Sequence, residues 1–246
     1  MMKLRYLFLA AVLLSCLGFL SGTNSAHAES TISCPSGTYD MLDWMTMDLG
    51  LRSSKHLTGT ANPLFTLIHS GKFYWTKGGT GYPWDIQLYD NNYIYLWITE
   101  YAWKYPNTYK KSSNNYNMPL TRRCAKGGFP GSAIKVSNTS YDIHTDCNSY
   151  TTHNLQKAIN EVWGPYYVSF GGSLPNKMPT LVVSYRYNCD SNYGNCADKE
   201  EYYLSKRYGL VQWVHYTLSS GSYHQQQKSV FNQLTSGTTS PKFACF

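Results

Sequence analysis

The chain is poor in acid, with Asp and Glu together numbering only 14. That scarcity leaves few candidates for the paired carboxylates of glycoside hydrolysis: beyond Glu29 the only glutamates are Glu100, Glu161, Glu200 and Glu201. No two cysteines sit two to four residues apart, which excludes the usual structural zinc knuckles. Neither His-Glu-x-x-His nor Gly-x-Ser-x-Gly occurs. The glycine run Lys77-Gly78-Gly79-Thr80-Gly81 lacks the Lys-Ser/Thr and the helix of a phosphate loop. There is no internal repeat, no Pro- or Ser-rich linker, and no nucleic-acid-binding motif despite a net charge of +7. After residue 20 no apolar run is long enough to span a bilayer.

The apolar run that does exist lies at the start. Lys3 and Arg5 precede a stretch from Tyr6 to Leu20, and Ala26-His27-Ala28 supplies a small-x-small cleavage pattern. Residues 1–28 are therefore predicted to be a signal peptide, and residues 29–246 one exported domain. Leu13-Leu14-Ser15-Cys16 offers a rival lipoprotein box, but Leu17, Phe19 and Leu20 carry the apolar run past that cysteine. The predicted location is secreted or extracellular, with the periplasm or cell surface as variants.

Six cysteines remain beyond the leader: Cys34, Cys124, Cys147, Cys189, Cys196 and Cys245. An even number in an exported chain reads as a disulfide framework. Sequence proximity suggests Cys189–Cys196 and Cys124–Cys147, leaving Cys34 for Cys245.

What the chain has in abundance is tyrosine, 23 in all. Tyr, Trp and Thr favour strands, and strong helix formers such as Glu are few. Strands are predicted at 71–75, 84–89, 180–187, 200–204 and 210–218. Leu155, Ala158, Ile159, Val162 and Trp163 have helical spacing ahead of Gly164-Pro165, so Thr151–Trp163 is predicted as the one short helix. Tyr39–Leu51 reads equally as a short helix or an irregular strand. The fold class predicted is all-β, an antiparallel sandwich of jelly-roll or lectin-like type.

Asp90-Asn91-Asn92 separates two alternating runs and predicts a hairpin over Trp84–Trp103. Alternation puts Ile94, Leu96, Ile98 and Ala102 on one face and Tyr93, Tyr95, Trp97, Thr99, Tyr101 and Trp103 on the other. The partner strand is read with Ile86 and Leu88 on the aliphatic side and Asp85, Gln87 and Tyr89 on the ring side. Same-face neighbours lie about 6.7 Å apart, a spacing on the scale of sugar rings. Sugars stack apolar C–H faces on flat rings and need polar partners for their hydroxyls, so this face predicts polysaccharide binding. The opposing reading is that these rings form an inter-sheet core.

From Lys104 to Lys126 six basic residues occur with interleaved tyrosines, and no acid lies between Glu100 and Asp142. Lys110, Lys111, Arg122 and Arg123 are the central ones. Read as a long structureless loop, this segment would form a basic lid suited to an acidic glycan. Cys189–Cys196 encloses Asp190, Asn192 and Asn195 but departs from the calcium-loop pattern at Gly194, so it is read as a pinned turn.

The reading leans away from an enzyme and implies no cofactor and no metal. Two alternatives stand beside it: a polysaccharide lyase or glycoside hydrolase of the same fold, using His or Tyr as proton acceptor, and an extracellular structural or adhesion protein with no small ligand.

Overall fold

A computed structural model describes residues 32–60, 63–69, 72–77, 83–99, 108–113, 118–128, 133–144 and 150–239. The predicted signal peptide, together with Tyr101, Trp103, Cys147 and Cys245, lies outside the described residues.

In chain order the elements are β1 (Tyr39–Asp40), α1 (Met41–Met45), α2 (Leu49–Arg52), β2 (Lys55–Gly59), β3 (Leu64–His69), β4 (Lys72–Lys77), β5 (Pro83–Tyr89) and β6 (Tyr93–Thr99). They continue with β7 (Thr108–Ser113), β8 (Met118–Arg122), β9 (Cys124–Ala125), β10 (Ile134–His144), β11 (Tyr150–Val168), β12 (Met178–Cys189), β13 (Cys196–Ser205), β14 (Gly209–Ser219) and β15 (Ser222–Ser236). The protein is all-β with antiparallel pairing.

β1 and β9 form a small ladder of their own. The rest is one 13-stranded sheet in the order β5-β4-β3-β2-β15-β14-β13-β12-β11-β10-β7-β6-β8, with an extra β5–β6 pairing. That extra pairing closes a hydrogen-bonded circuit from which only β8 hangs, and a closed circuit leaves few bare edges to manage. β8 pairs with β6 alone, its Met118, Leu120 and Thr121 are buried, and Asn160 of β11 donates its side-chain N–H to the Pro119 carbonyl at 2.6 Å. The circuit is thin where β2 meets β3, with Leu57 opposite Leu64. It is also thin where β6 meets β7, with Ile98 opposite Lys111 and Thr99 opposite Lys110.

One core fills the inside. Phe73 and Trp75 of β4, Ile94 and Leu96 of β6, Leu181 and Val183 of β12, Tyr202 and Leu204 of β13 and Phe231 of β15 all belong to it. The Trp75 ring stacks on Tyr202 with centroids 5.7 Å apart, so the inner face of β4 meets the inner face of β13 across the core. α1 plugs into this core through Met41, Leu42, Trp44 and Met45. Its N-cap is Asp40, which accepts from the Leu42 N–H at 3.0 Å, and its last carbonyl also accepts from Trp75 Nε1 at 3.2 Å. The ambiguous Tyr39–Leu51 stretch thus holds β1, α1 and most of α2, which ends at Arg52.

The helix predicted over Thr151–Trp163 is instead part of strand β11. Ala158, Asn160 and Val162 alternate inward and are buried, while Ile159 and Glu161 lie on the other face. Pairing with β10 on one side and β12 on the other satisfies the backbone, and that outweighs a chance 3.6-residue spacing. Gly164-Pro165 does not stop a helix; the β11–β12 register shifts there, between Trp163 and Tyr166. A Cβ on Gly127 would fall 2.1 Å from the Gly164 carbonyl oxygen, so that bulge approaches the 127 backbone closely.

Two further expectations are corrected. Cys34 is bonded to Cys124, not to Cys245, and this displaces the Cys124–Cys147 pairing. The β1–β9 ladder, which aligns Asp40 with Cys124, brings the Cys34 segment alongside. Cys189–Cys196 is as predicted, a cross-strand pair of β12 and β13. The segment from Lys104 to Lys126 is not a structureless loop, since it contains β7, β8 and β9.

Candidate functional site

The turn Asn91-Asn92 sets the faces of the β5–β6 hairpin. Asp90 N–H bonds the Tyr93 carbonyl at 3.1 Å, and the Asp90 carboxylate accepts from the Asn92 and Tyr93 N–H groups at 2.7 and 2.8 Å. A two-residue turn pairs positions of opposite parity. Leu88 therefore lies opposite Tyr95, Tyr89 opposite Ile94, and Gln87 opposite Leu96. Gln87 and Tyr89, expected among the open rings, belong to the inward side. Gln87 is wholly buried, and among the described residues neither its amide oxygen nor its nitrogen has a hydrogen-bond partner. Tyr89 is half-buried against the core, with the Arg123 guanidinium 5.4 Å from its ring centroid.

Ile94 and Leu96 are buried, whereas Tyr93 and Tyr95 are half-exposed on the outer face. Their rings stand 5.8 Å apart. β8 brings Arg122 opposite Tyr93, where its guanidinium lies 5.6 Å from the ring centroid and donates to the Tyr93 oxygen at 3.4 Å. Tyr95 Oη donates to Asp90 Oδ2 at 2.8 Å. Burial, with the Asp90 charge beside it, pushes the Tyr95 phenol up to about 12. Burial works to raise Asp90, yet the Tyr93 N–H, the Tyr95 phenol and the Asn92 N–H hold its carboxyl below the usual value. The result is two tyrosine rings flanked by a fixed carboxylate and an exposed guanidinium.

Arg123 does not join this surface. It is 1% exposed and paired with Asp40, the N-cap of α1. The side chains of Asp85, Trp97, Lys110 and Lys111 lie outside the described residues; the backbone of Lys110 and Lys111 lies beside Thr99 and Ile98.

A polar and aromatic network was not picked out by sequence reasoning, and six of its members, Ile159, Glu161, Val182, Ser184, Gln212 and Val214, are buried. On the outer face of β11–β14, Trp163 lies opposite Val182, Val182 opposite Tyr203, and Tyr203 opposite Gln212. The next row runs Glu161, Ser184, Glu201, Val214, and the next Ile159, Arg186, Lys199, Tyr216. Arg186 pairs with Glu161 at 3.1 Å and Lys199 with Glu201 at 2.8 Å. Tyr203 and Tyr216 both donate to Glu201 Oε2, at 2.9 and 3.0 Å. Lys199 Nζ also sits 4.0 Å from the Tyr216 ring centroid and 5.0 Å from that of Tyr223. Burial, and then the Glu201 charge, raise Tyr216 to about 12 and raise Tyr203 as well. The period-2 pattern Lys199-x-Glu201-x-Tyr203 was legible; the β11 half was hidden by the helix reading.

The inner face carries Glu200, which accepts from Tyr187 Oη at 3.2 Å, Tyr202 Oη at 2.5 Å and Trp213 Nε1 at 2.9 Å. With its lone pairs so engaged it serves as a polar anchor of the core. His215 Nε2 lies 3.4 Å from Asp198, whose other oxygen accepts from Asn188 Nδ2 at 2.8 Å. At the β12–β13 tip, Asp190 accepts from the Gly194, Asn192 and Asn195 N–H groups, and these bonds, led by Gly194, lower its carboxyl pKa. Its oxygens are thus turned to the backbone rather than to a cation. Among the described residues no group of three His, Cys, Asp or Glu is placed to hold a metal ion.

No family model, curated protein or solved structure matches this chain.

Proposed function

We propose that this is an exported, lectin-like sandwich protein that binds an acidic polysaccharide on the outer face of β6 and β8. The observation that carries the reading is the half-exposed Tyr93–Tyr95 pair, rings 5.8 Å apart, with Arg122 against Tyr93. The ring planes are inclined by 50°, so each ring offers its own face to a sugar C–H face, and a uronate carboxylate fits the Arg122 fork. Asp90 fixes the Tyr95 phenol at one edge, so little side-chain freedom remains to be lost on binding. Two disulfides support an exported location, and among the described residues no helix is long and apolar enough to cross a membrane.

The test is retention on immobilised polygalacturonate or alginate, with the polymer's length followed by gel filtration. Retention without shortening, weakened by salt, is expected. Shortening with products that absorb in the near ultraviolet would replace this reading with a lyase. No retention on any acidic glycan would remove it.

A further inference from the structure

We propose that Lys135, Lys157 and Tyr193 form an oxyanion site that takes a sulfate or phosphate ester carried on a polysaccharide. The oxyanion site stands on its own geometry; its being filled by a glycan rests on the reading above.

The site lies where β10 and β11 meet the tip of the β12–β13 hairpin. Lys135 stands opposite Ile159 and Lys157 opposite Ser137, so the two lysines are diagonal neighbours on adjacent strands, with backbones about 7–8 Å apart. Both ammonium groups turn to one ring: Lys135 Nζ lies 5.5 Å and Lys157 Nζ 5.3 Å from the Tyr193 centroid. Lys157 Nζ also donates to the Ser191 carbonyl at 3.0 Å, which leaves it further protons to donate. Lys135 is exposed, and Lys157 and Tyr193 are half-buried.

Two like charges gathered on one ring repel each other, and the ring quadrupole offsets only part of that repulsion. Further along the same face the cations have carboxylates, Arg186 with Glu161 and Lys199 with Glu201. Among the described residues no carboxylate pairs with Lys135 or Lys157. The turn's own acid, Asp190, is engaged by the Asn192, Gly194 and Asn195 N–H groups. The Cys189–Cys196 bridge closes the same turn, so Tyr193 is held in place before any ligand arrives. An external anion supplies the missing countercharge.

The kind of anion follows from the donors. An ammonium is a compact charge with three donors and no fork. Two of them approaching from different strands suit a tetrahedral group with oxygens on several sides, whereas a planar carboxylate suits the Arg122 guanidinium. Tyr193 keeps ring surface for the C–H face of the sugar that bears the ester.

The experiment measures binding of the full protein to dextran sulfate, dextran phosphate and carboxymethyl-dextran, three charged forms of one neutral backbone, at fixed ionic strength. The wild type is expected to bind an ester form more tightly than the carboxymethyl form, and the tighter of the two esters names the group. Lys135→Gln with Lys157→Gln should weaken ester binding by about tenfold with the circular dichroism spectrum retained. Its binding to polygalacturonate should stay within about twofold, and Arg122→Ala should show the reverse pattern. Tyr193→Asn, which tolerates the left-handed backbone there (φ 60°), should weaken ester binding with both charges in place. Lys177→Gln with Lys228→Gln removes the same charge elsewhere and should change little. An equal loss in that control, or no binding of either ester polymer by the wild type, overturns the oxyanion site. Ester binding that depends on the two lysines, with polygalacturonate not bound, keeps the site and removes the acidic-glycan reading. Polygalacturonate bound through Arg122 without ester binding does the opposite.

Discussion

Arg123 and Asp40 stand 83 residues apart in the chain and meet as a two-pronged ion pair at the β1–β9 ladder. Arg123 Nη2 reaches Asp40 Oδ2 at 3.0 Å, its Nε donates to Oδ1, and Nη1 reaches the Asp90 carbonyl at 3.2 Å. One guanidinium thus ties the cap of α1 to the turn of the β5–β6 hairpin. Breaking a buried pair by removing one partner typically costs about 3–5 kcal/mol. Arg123→Ala is expected to lower unfolding free energy by that order in urea melts. Arg122→Ala, next in the chain but exposed, should change stability by no more than about 0.5 kcal/mol and instead weaken retention on polygalacturonate.

The covalent framework makes a separate prediction. Peptide mapping without reduction should recover Cys34 linked to Cys124 and Cys189 linked to Cys196. The first bridge closes a loop with a sequence separation of 90. By the chain-entropy model such a loop contributes about 4–5 kcal/mol, so Cys34→Ala with Cys124→Ala should bring a large loss of stability. A Cys124–Cys147 peptide would contradict the fold around β9.

The hairpin turn should respond to acid. The Asp90 carboxyl is held below its ordinary value, so the folded state binds that proton less readily than the unfolded chain. The stabilisation is present above the ordinary carboxylate range and is lost as pH falls through the lowered value. Asp90→Asn should flatten the acid limb of the stability profile. The phenols act in the other direction: Tyr95 and Tyr216 are raised to about 12, so their contribution is full below pH about 10 and is lost as pH rises through about 12. In a spectrophotometric tyrosine titration, Tyr95→Phe should remove a late-titrating phenol and leave the early ones in place.

Gly127→Ala should destabilise the protein by at least about 1–3 kcal/mol, the cost of overpacking. The added carbon would meet a backbone oxygen that cannot rotate away, that of Gly164 in the β11 bulge. Thermal melts read the loss directly. A neutral result would mean that the bulge moves freely.

Much of this architecture was legible in residues of alternating character. Ile94 and Leu96 against Tyr93 and Tyr95, and the strands around Val183, Leu204 and Val211, follow from period-2 patterning alone. Local composition was less informative where a strand is buried on one face and covered by long side chains on the other. Ile159 and Glu161 are both buried although they sit outside the core-facing set, and this blurred alternation made β11 read as a helix. Gln87 shows a different limit. Its face depends on the parity of the Asn91-Asn92 turn, which a residue pattern assigns only when the turn length is known. Arg122 and Arg123 show a third: adjacent where β8 ends and β9 has yet to begin, one is exposed and the other buried, and only the location of Asp40 tells which one goes inside. The pairing of Cys34 likewise depends on a long-range ladder that spacing between cysteines does not encode.

The most direct test of the glycan reading compares wild type with Tyr93→Ala and Tyr95→Ala by affinity electrophoresis in gels containing polygalacturonate, each variant checked by thermal melt. The account predicts retardation of the wild type and its loss in both variants, with melting temperatures within a few degrees. Unchanged retardation in folded variants, or no retardation of the wild type at all, would contradict it.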